Sequence, residues 1–198
     1  ASYLKSLELK PDNPDAHMNL GMTYETLNEL DSALESYIKS ANLIAQHKHE
    51  SSLTSLISTS VILLQLNSIE DAEIALSNAL AIAFNKEITL SHGAIKNEKN
   101  NSAYLSYINK LIPEIPRIDS SSESQILHLG ESHCLAFTNQ TIDLKGKKCI
   151  LRPALVKGAK AFHLNEESRK NPQKIGFEKR LKQNLEDYEY IFLIWKYS

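Results

Sequence analysis

The residues best placed to do chemistry are Gly130-Glu131-Ser132. They follow Gln125-Ile126-Leu127-His128-Leu129 and precede His133-Cys134-Leu135-Ala136-Phe137. This order reads as a buried strand, a tight turn at Gly130 and a helix that starts near Ser132. The first N–H groups of a helix have no intrahelical acceptor and carry the positive end of its dipole. A serine hydroxyl at that place can attack a carbonyl carbon or cap the helix. Attack would make Ser132 the nucleophile of an acyl transfer, which also needs a general base and a group that orients the base.

The neighbouring candidates do not supply that base. Strand alternation puts His128 on the same face as Gly130, and His133, adjacent to Ser132 on a helix, points elsewhere. His133 and Cys134 have no second pair at ligand spacing, so no metal is expected. Cys149 reads as a buried strand residue, and His163 as a loop histidine able to line a pocket. The cations at Arg169, Lys170, Lys174, Lys179, Arg180 and Lys182 alternate with Glu166, Glu167, Glu178 and Glu186, the pattern of a solvated helix face. No Gly-rich phosphate loop is present, and no cofactor is expected.

Composition narrows the classes further. The 198 residues carry a formal net charge of -2, with 42% hydrophobic and 23% charged residues. That suits a folded chain of one domain or two small ones, and excludes a strongly basic nucleic-acid binder. Two cysteines are too few for a disulfide framework and fit a reducing compartment. No apolar run approaches the length of a membrane span. The expectation is a cytoplasmic fragment of a longer protein, with no membrane or nucleic-acid partner.

The elements that must position these residues change character near residue 120. Up to about Ile118 apolar residues recur at three- and four-residue steps, as in Leu20, Tyr24, Leu27 and Leu30, Leu34, Tyr37. Beyond it, strand-like runs at 126–129, 149–151 and 190–195 alternate with polar or helix-like stretches. The expected fold class is α + α/β: helical repeat pairs over 1–118, a linker over 119–124, and a partial three-layer α/β domain over 125–198.

The helical part repeats. Tyr3 and Tyr37 are 34 residues apart, as are Ser6 and Ser40. Leu20-Gly21, then Tyr24, then Ala33 and Tyr37, with that period, resembles the tetratricopeptide repeat. His17 stands where that family usually has Trp. Ala72, Leu76 and Ala79 repeat the second-helix pattern, with about five residues inserted, since Ala72 lies 39 after Ala33. The resemblance implies stacked helix pairs with a groove for a protein or peptide partner. Polar residues of the first helix, such as His17, Asn19 and Thr23, would face that groove.

The Gly130-Glu131-Ser132 turn resembles the first block of the SGNH, or GDSL-type, hydrolases, with Glu in place of Asp. The resemblance implies ester hydrolysis with Ser132 as nucleophile, and Gly158 as an oxyanion-hole glycine. The family's Gly-x-Asn-Asp and Asp-x-x-His blocks do not occur, so the hydrolase-like part is expected to be incomplete and inactive as given. The leading expectation is an interaction module. A serine esterase completed by residues outside this chain is the alternative, and a glycan-modifying enzyme led by a repeat array, as found in bacteria, is a second.

Overall fold

A computed structural model describes residues 2–45, 51–83, 94–118, 124–156, 171–184, 188 and 190–194. The chain divides into two compact units, one of residues up to Pro113 (the Thr26–Asn28 turn excepted), the other from Glu114 onward.

The first unit is helical. It contains α1 (Ser2–Leu9), α2 (Pro14–Thr26), α3 (Leu30–Ala45), α4 (Ser51–Gln65), α5 (Ile69–Ala83) and α6 (Ala94–Leu111). Pro14 suits the first helical position, where an N–H would have no acceptor. Asn13 caps α2, its Oδ1 accepting the Ala16 N–H at 3.2 Å. Helices α2 and α4 end alike. Asn28 and Asn67 take left-handed backbone angles, φ 58° and 62°. The residue after each donates its N–H five residues back, Glu29 to the Tyr24 carbonyl at 2.9 Å and Ser68 to the Leu63 carbonyl at 2.8 Å. This helix-ending turn sends α3 and α5 back along their predecessors. The two asparagines carry the same 39-residue offset as Ala33 and Ala72.

Small residues set the packing. Ala33, Ala72 and Ala79 are fully buried. Ala33, Tyr37 and Ile62 form a core flanked by Met18, Tyr24, Leu30 and Leu34. Helix α4 packs against α3, α5 and α6, and its residues 57–64 are all buried. Its serines keep the neighbours close and find acceptors: Ser55 Oγ donates to Ser40 Oγ and Ser60 Oγ to the Ala72 carbonyl, both at 3.0 Å. After α5 the structure describes α6, while residues 84–93 lie outside the described residues.

The second unit is a four-stranded sheet in the order β2-β3-β1-β4, with β1 (Ser124–Gly130), β2 (Thr141–Leu144), β3 (Lys147–Leu155) and β4 (Tyr190–Ile194). Strand β1 is parallel to β3 on one side and to β4 on the other, so that Gly130 lies opposite both Leu155 and Ile194. One face buries Leu127, Leu129, Ala154 and Val156 beneath Phe177 and Leu181 of α7 (Pro172–Asn184). The other buries Ile126, Cys149 and Leu151 with Ile142, Leu144 and Tyr190.

The architecture is thus helices followed by an α/β unit, with two departures from the sequence expectation. Strand β2 is additional, joined to β3 by an antiparallel hairpin. Lys145 and Gly146 both have positive φ, 56° and 79°, as a two-residue hairpin turn of this twist requires. Asp143 Oδ1 accepts the Gly146 N–H at 2.8 Å. And the helix expected from Ser132 takes the 3-10 form, over the six residues Ser132–Phe137. It stops because Thr138 Oγ1 bonds back to the Leu135 carbonyl at 2.6 Å and Asn139 turns to φ 57°.

Candidate functional site

The Ser132 turn occupies the carboxyl end of the central strand. From β1 the chain reaches β3 on one side and later returns, through α7, to β4 on the other. The strand order therefore reverses at β1, and ligand crevices of open α/β sheets form outside the strand ends at such a point. Gly130 holds the turn to the sheet, its carbonyl accepting the Val156 N–H at 2.8 Å. Ser132 is half-buried and opens the 3-10 helix; Glu131 caps it through its backbone, its carbonyl accepting the Cys134 N–H at 2.8 Å.

The other sequence candidates do not assemble around Ser132. His133 is exposed. His128 is 1% exposed, within the sheet, and packs edge-on against Phe137 with ring centroids 4.9 Å apart. Cys134 is buried, and burial pushes its thiol up to about 12 despite the nearby Arg180 charge. That makes it a packing residue and not a nucleophile. Cys149 is buried in β3 as expected. Gly158, His163, Arg169 and Lys170 lie outside the described residues. Among the described residues no cluster of histidine, cysteine and carboxylate side chains could hold a metal. The basic stretch is not wholly solvated: Arg180 is buried on α7, with Nη1 3.4 Å from the Gly176 carbonyl.

Two buried polar groupings were not anticipated from the sequence. Arg152 of β3 is buried, with Nε donating to Gln125 Oε1 at 3.1 Å and Nη1 to Asn139 Oδ1. Its only signal was a cation inside the apolar run 150–154. In the helical unit Tyr37 donates its hydroxyl to Glu25 Oε2 at 2.9 Å, both residues being buried. Burial, reinforced by the Glu25 charge, pushes the Tyr37 phenol well above its usual range.

The helical unit also has a cleft of about 200 Å³ between α2 and α3, lined by His17, Leu20, Tyr24, Ser32, Glu35, Ser36 and Lys39. Its buried lining residues are the polar His17 and Ser36, Leu20 and Tyr24 are half-buried, and Glu35 and Lys39 are exposed. Of the three polar residues expected to face a groove, only His17 lines it. The His17 ring is buried, with Nε2 2.9 Å from the Pro11 carbonyl, so it ties down the loop before α2. Thr23 and Asn19 bond to each other, Thr23 Oγ1 donating to the Asn19 carbonyl at 2.9 Å.

Residues 2–35 match the family model of the tetratricopeptide repeat, which takes in α1, α2 and the start of α3. The comparison with curated proteins finds no match. The N-terminal helices thus carry a tetratricopeptide repeat, a unit that generally mediates contacts between proteins. Among the described residues no helix is long and apolar enough to cross a membrane.

Proposed function

We propose that this chain is a protein-binding module whose α2–α3 cleft receives a side chain from an extended or helical segment of a partner. The observation that carries the reading is the coincidence of the tetratricopeptide match with that cleft. Leu20 and Tyr24, beside one exposed carboxylate and one exposed ammonium, suit an apolar side chain flanked by polar or charged residues. The two free cysteines are buried, which suits a reducing compartment such as the cytoplasm. Peptides selected by display against the full chain test the reading: their binding should fall when Leu20→Arg blocks the cleft.

A second reading has its own observation. Ser132 stands at the carboxyl end of β1, where the strand order reverses. That supports an acyl-transfer site of SGNH type, with Ser132 as nucleophile and Gly158 as a candidate oxyanion donor. The base and orienting acid would come from outside the residues named here. Hydrolysis of a short-chain ester that disappears in Ser132→Ala, with the fold retained, would establish it. Equal hydrolysis by both proteins would remove Ser132 from consideration.

A further inference from the structure

His128 is the fifth of the seven residues of the central strand. It lies opposite Pro153 of β3 and Phe192 of β4. It alternates with Leu127 and Leu129, which face α7, and so shares the face of Ile126. Over it sits Phe137, the last residue of the 3-10 helix that begins with Ser132. The ring is 1% exposed, and among the described residues neither Nδ1 nor Nε2 has a hydrogen-bond partner. A neutral imidazole already loses one donor and one acceptor in such a site; an imidazolium would add an uncompensated charge.

We propose that His128 is a pH-sensitive latch beneath the Ser132 turn: protonation of its ring loosens the 3-10 helix Ser132–Phe137 from the sheet. Among the described residues, the titratable groups on the elements covering this face are Glu131, His133 and Cys134 at the turn, Lys145, Lys147 and Cys149 on the β2–β3 hairpin, and Tyr190 on β4, whose ring Lys145 overlies at 5.6 Å. Arg152 pairs with Leu127 and so belongs to the opposite face with α7, although the Arg180 charge of α7 reaches Cys134. None of them compensates the ring; burial holds its pKa below the ordinary 6.5. The sign follows from linkage. With the folded pKa depressed, the unfolded state binds the proton more readily, so stability is full above 6.5 and declines as pH falls below it. The decline is at most about tenfold in the folded-to-unfolded ratio per pH unit for one proton. The turn that carries Ser132 is the part that responds, because Phe137, which packs on the ring, ends its 3-10 helix. The latch holds whichever reading of Ser132 is right.

The test is an NMR titration of the full chain, with the His128 ring resonance assigned by its loss in His128→Gln. The ring should titrate below pH 6.5, and amide exchange at Cys134 and Thr138, corrected for intrinsic rates, should quicken several-fold between pH 7.5 and 5.5. Exchange at Ala33 and Ala72 should not change. His128→Leu should abolish the pH effect. A ring pKa at or above 6.5, or a turn whose protection is the same at both pH values, overturns the proposal. So does an equal effect in His128→Leu. Should that variant fail to fold, the titration of the natural chain decides alone.

Discussion

Gly21 and Tyr37 approach so closely that a methyl group on residue 21 would lie 2.8 Å from Cδ1 and Cε1 of the tyrosine ring. No real Cβ tolerates that distance, so the α2–α3 pair depends on the missing side chain. The ring has nowhere to retreat. It is fully buried between Ala33 and Ile62, with its hydroxyl held by Glu25.

Gly21→Ala should therefore destabilise the helical unit by about 1–3 kcal/mol, although alanine is the better helix former. Urea unfolding followed by circular dichroism measures it. An unchanged or raised midpoint would mean that α2 and α3 pack less tightly than described.

Tyr37→Phe keeps the ring but removes the hydroxyl that Glu25 Oε2 accepts. The buried carboxylate then loses a donor, at a cost of about 1–3 kcal/mol. Glu25→Gln, which retains an acceptor oxygen, should cost less. Equal losses in the two variants would contradict a directional bond.

The Cys134 thiol, pushed up to about 12 against an ordinary 9.0, should be nearly inert in the folded chain. At pH 8.5 its alkylation by iodoacetamide should be at least about a hundredfold slower than in urea, since only the thiolate reacts. The same shift predicts stability that holds below pH 9 and falls as pH rises above it, because the unfolded thiol ionises first. Mass spectrometry of the Cys134 peptide reads the first effect. Fast native alkylation would show the site to be open.

Much of this was legible in the sequence, for physical reasons that differ by element. Gly21, Ala33 and Tyr37 announced the α2–α3 pair because close helix packing needs a small residue opposite a large one. The apolar runs of β1, β3 and β4 announced strands buried on both faces. Strand β2 escaped because only Ile142 and Leu144 of Thr141–Leu144 are even partly covered. Its one signal was Asp143 two residues before Lys145-Gly146, which is hairpin chemistry. His17 lines the cleft as read, but its burial and its contact with the Pro11 carbonyl, which a polar side chain in sequence does not announce, make it a structural residue as well. Ser132 and Gly130 were legible as a turn. What surrounds that turn comes from β3, β4 and α7, which adjacency in sequence does not reveal.

Ser132→Ala should leave the fold intact, since the 3-10 helix is capped through the Glu131 backbone. The expected change in stability, read from thermal unfolding, is within about 0.5 kcal/mol of the natural chain, as for other partly exposed substitutions. Any ester hydrolysis should vanish with the hydroxyl. A collapse of the sheet unit instead would assign Ser132 a structural task.

Peptide capture by the α2–α3 cleft is tested most directly by calorimetric titration of a display-selected peptide into the full chain, its Leu20→Arg variant and its Lys39→Glu variant. The cleft reading predicts that Leu20→Arg weakens binding by about tenfold or more, about 1.4 kcal/mol, and that Lys39→Glu changes it in the direction set by the peptide's flanking charge. Unchanged affinity in both variants, with both still folded, would place the binding surface elsewhere and contradict the reading.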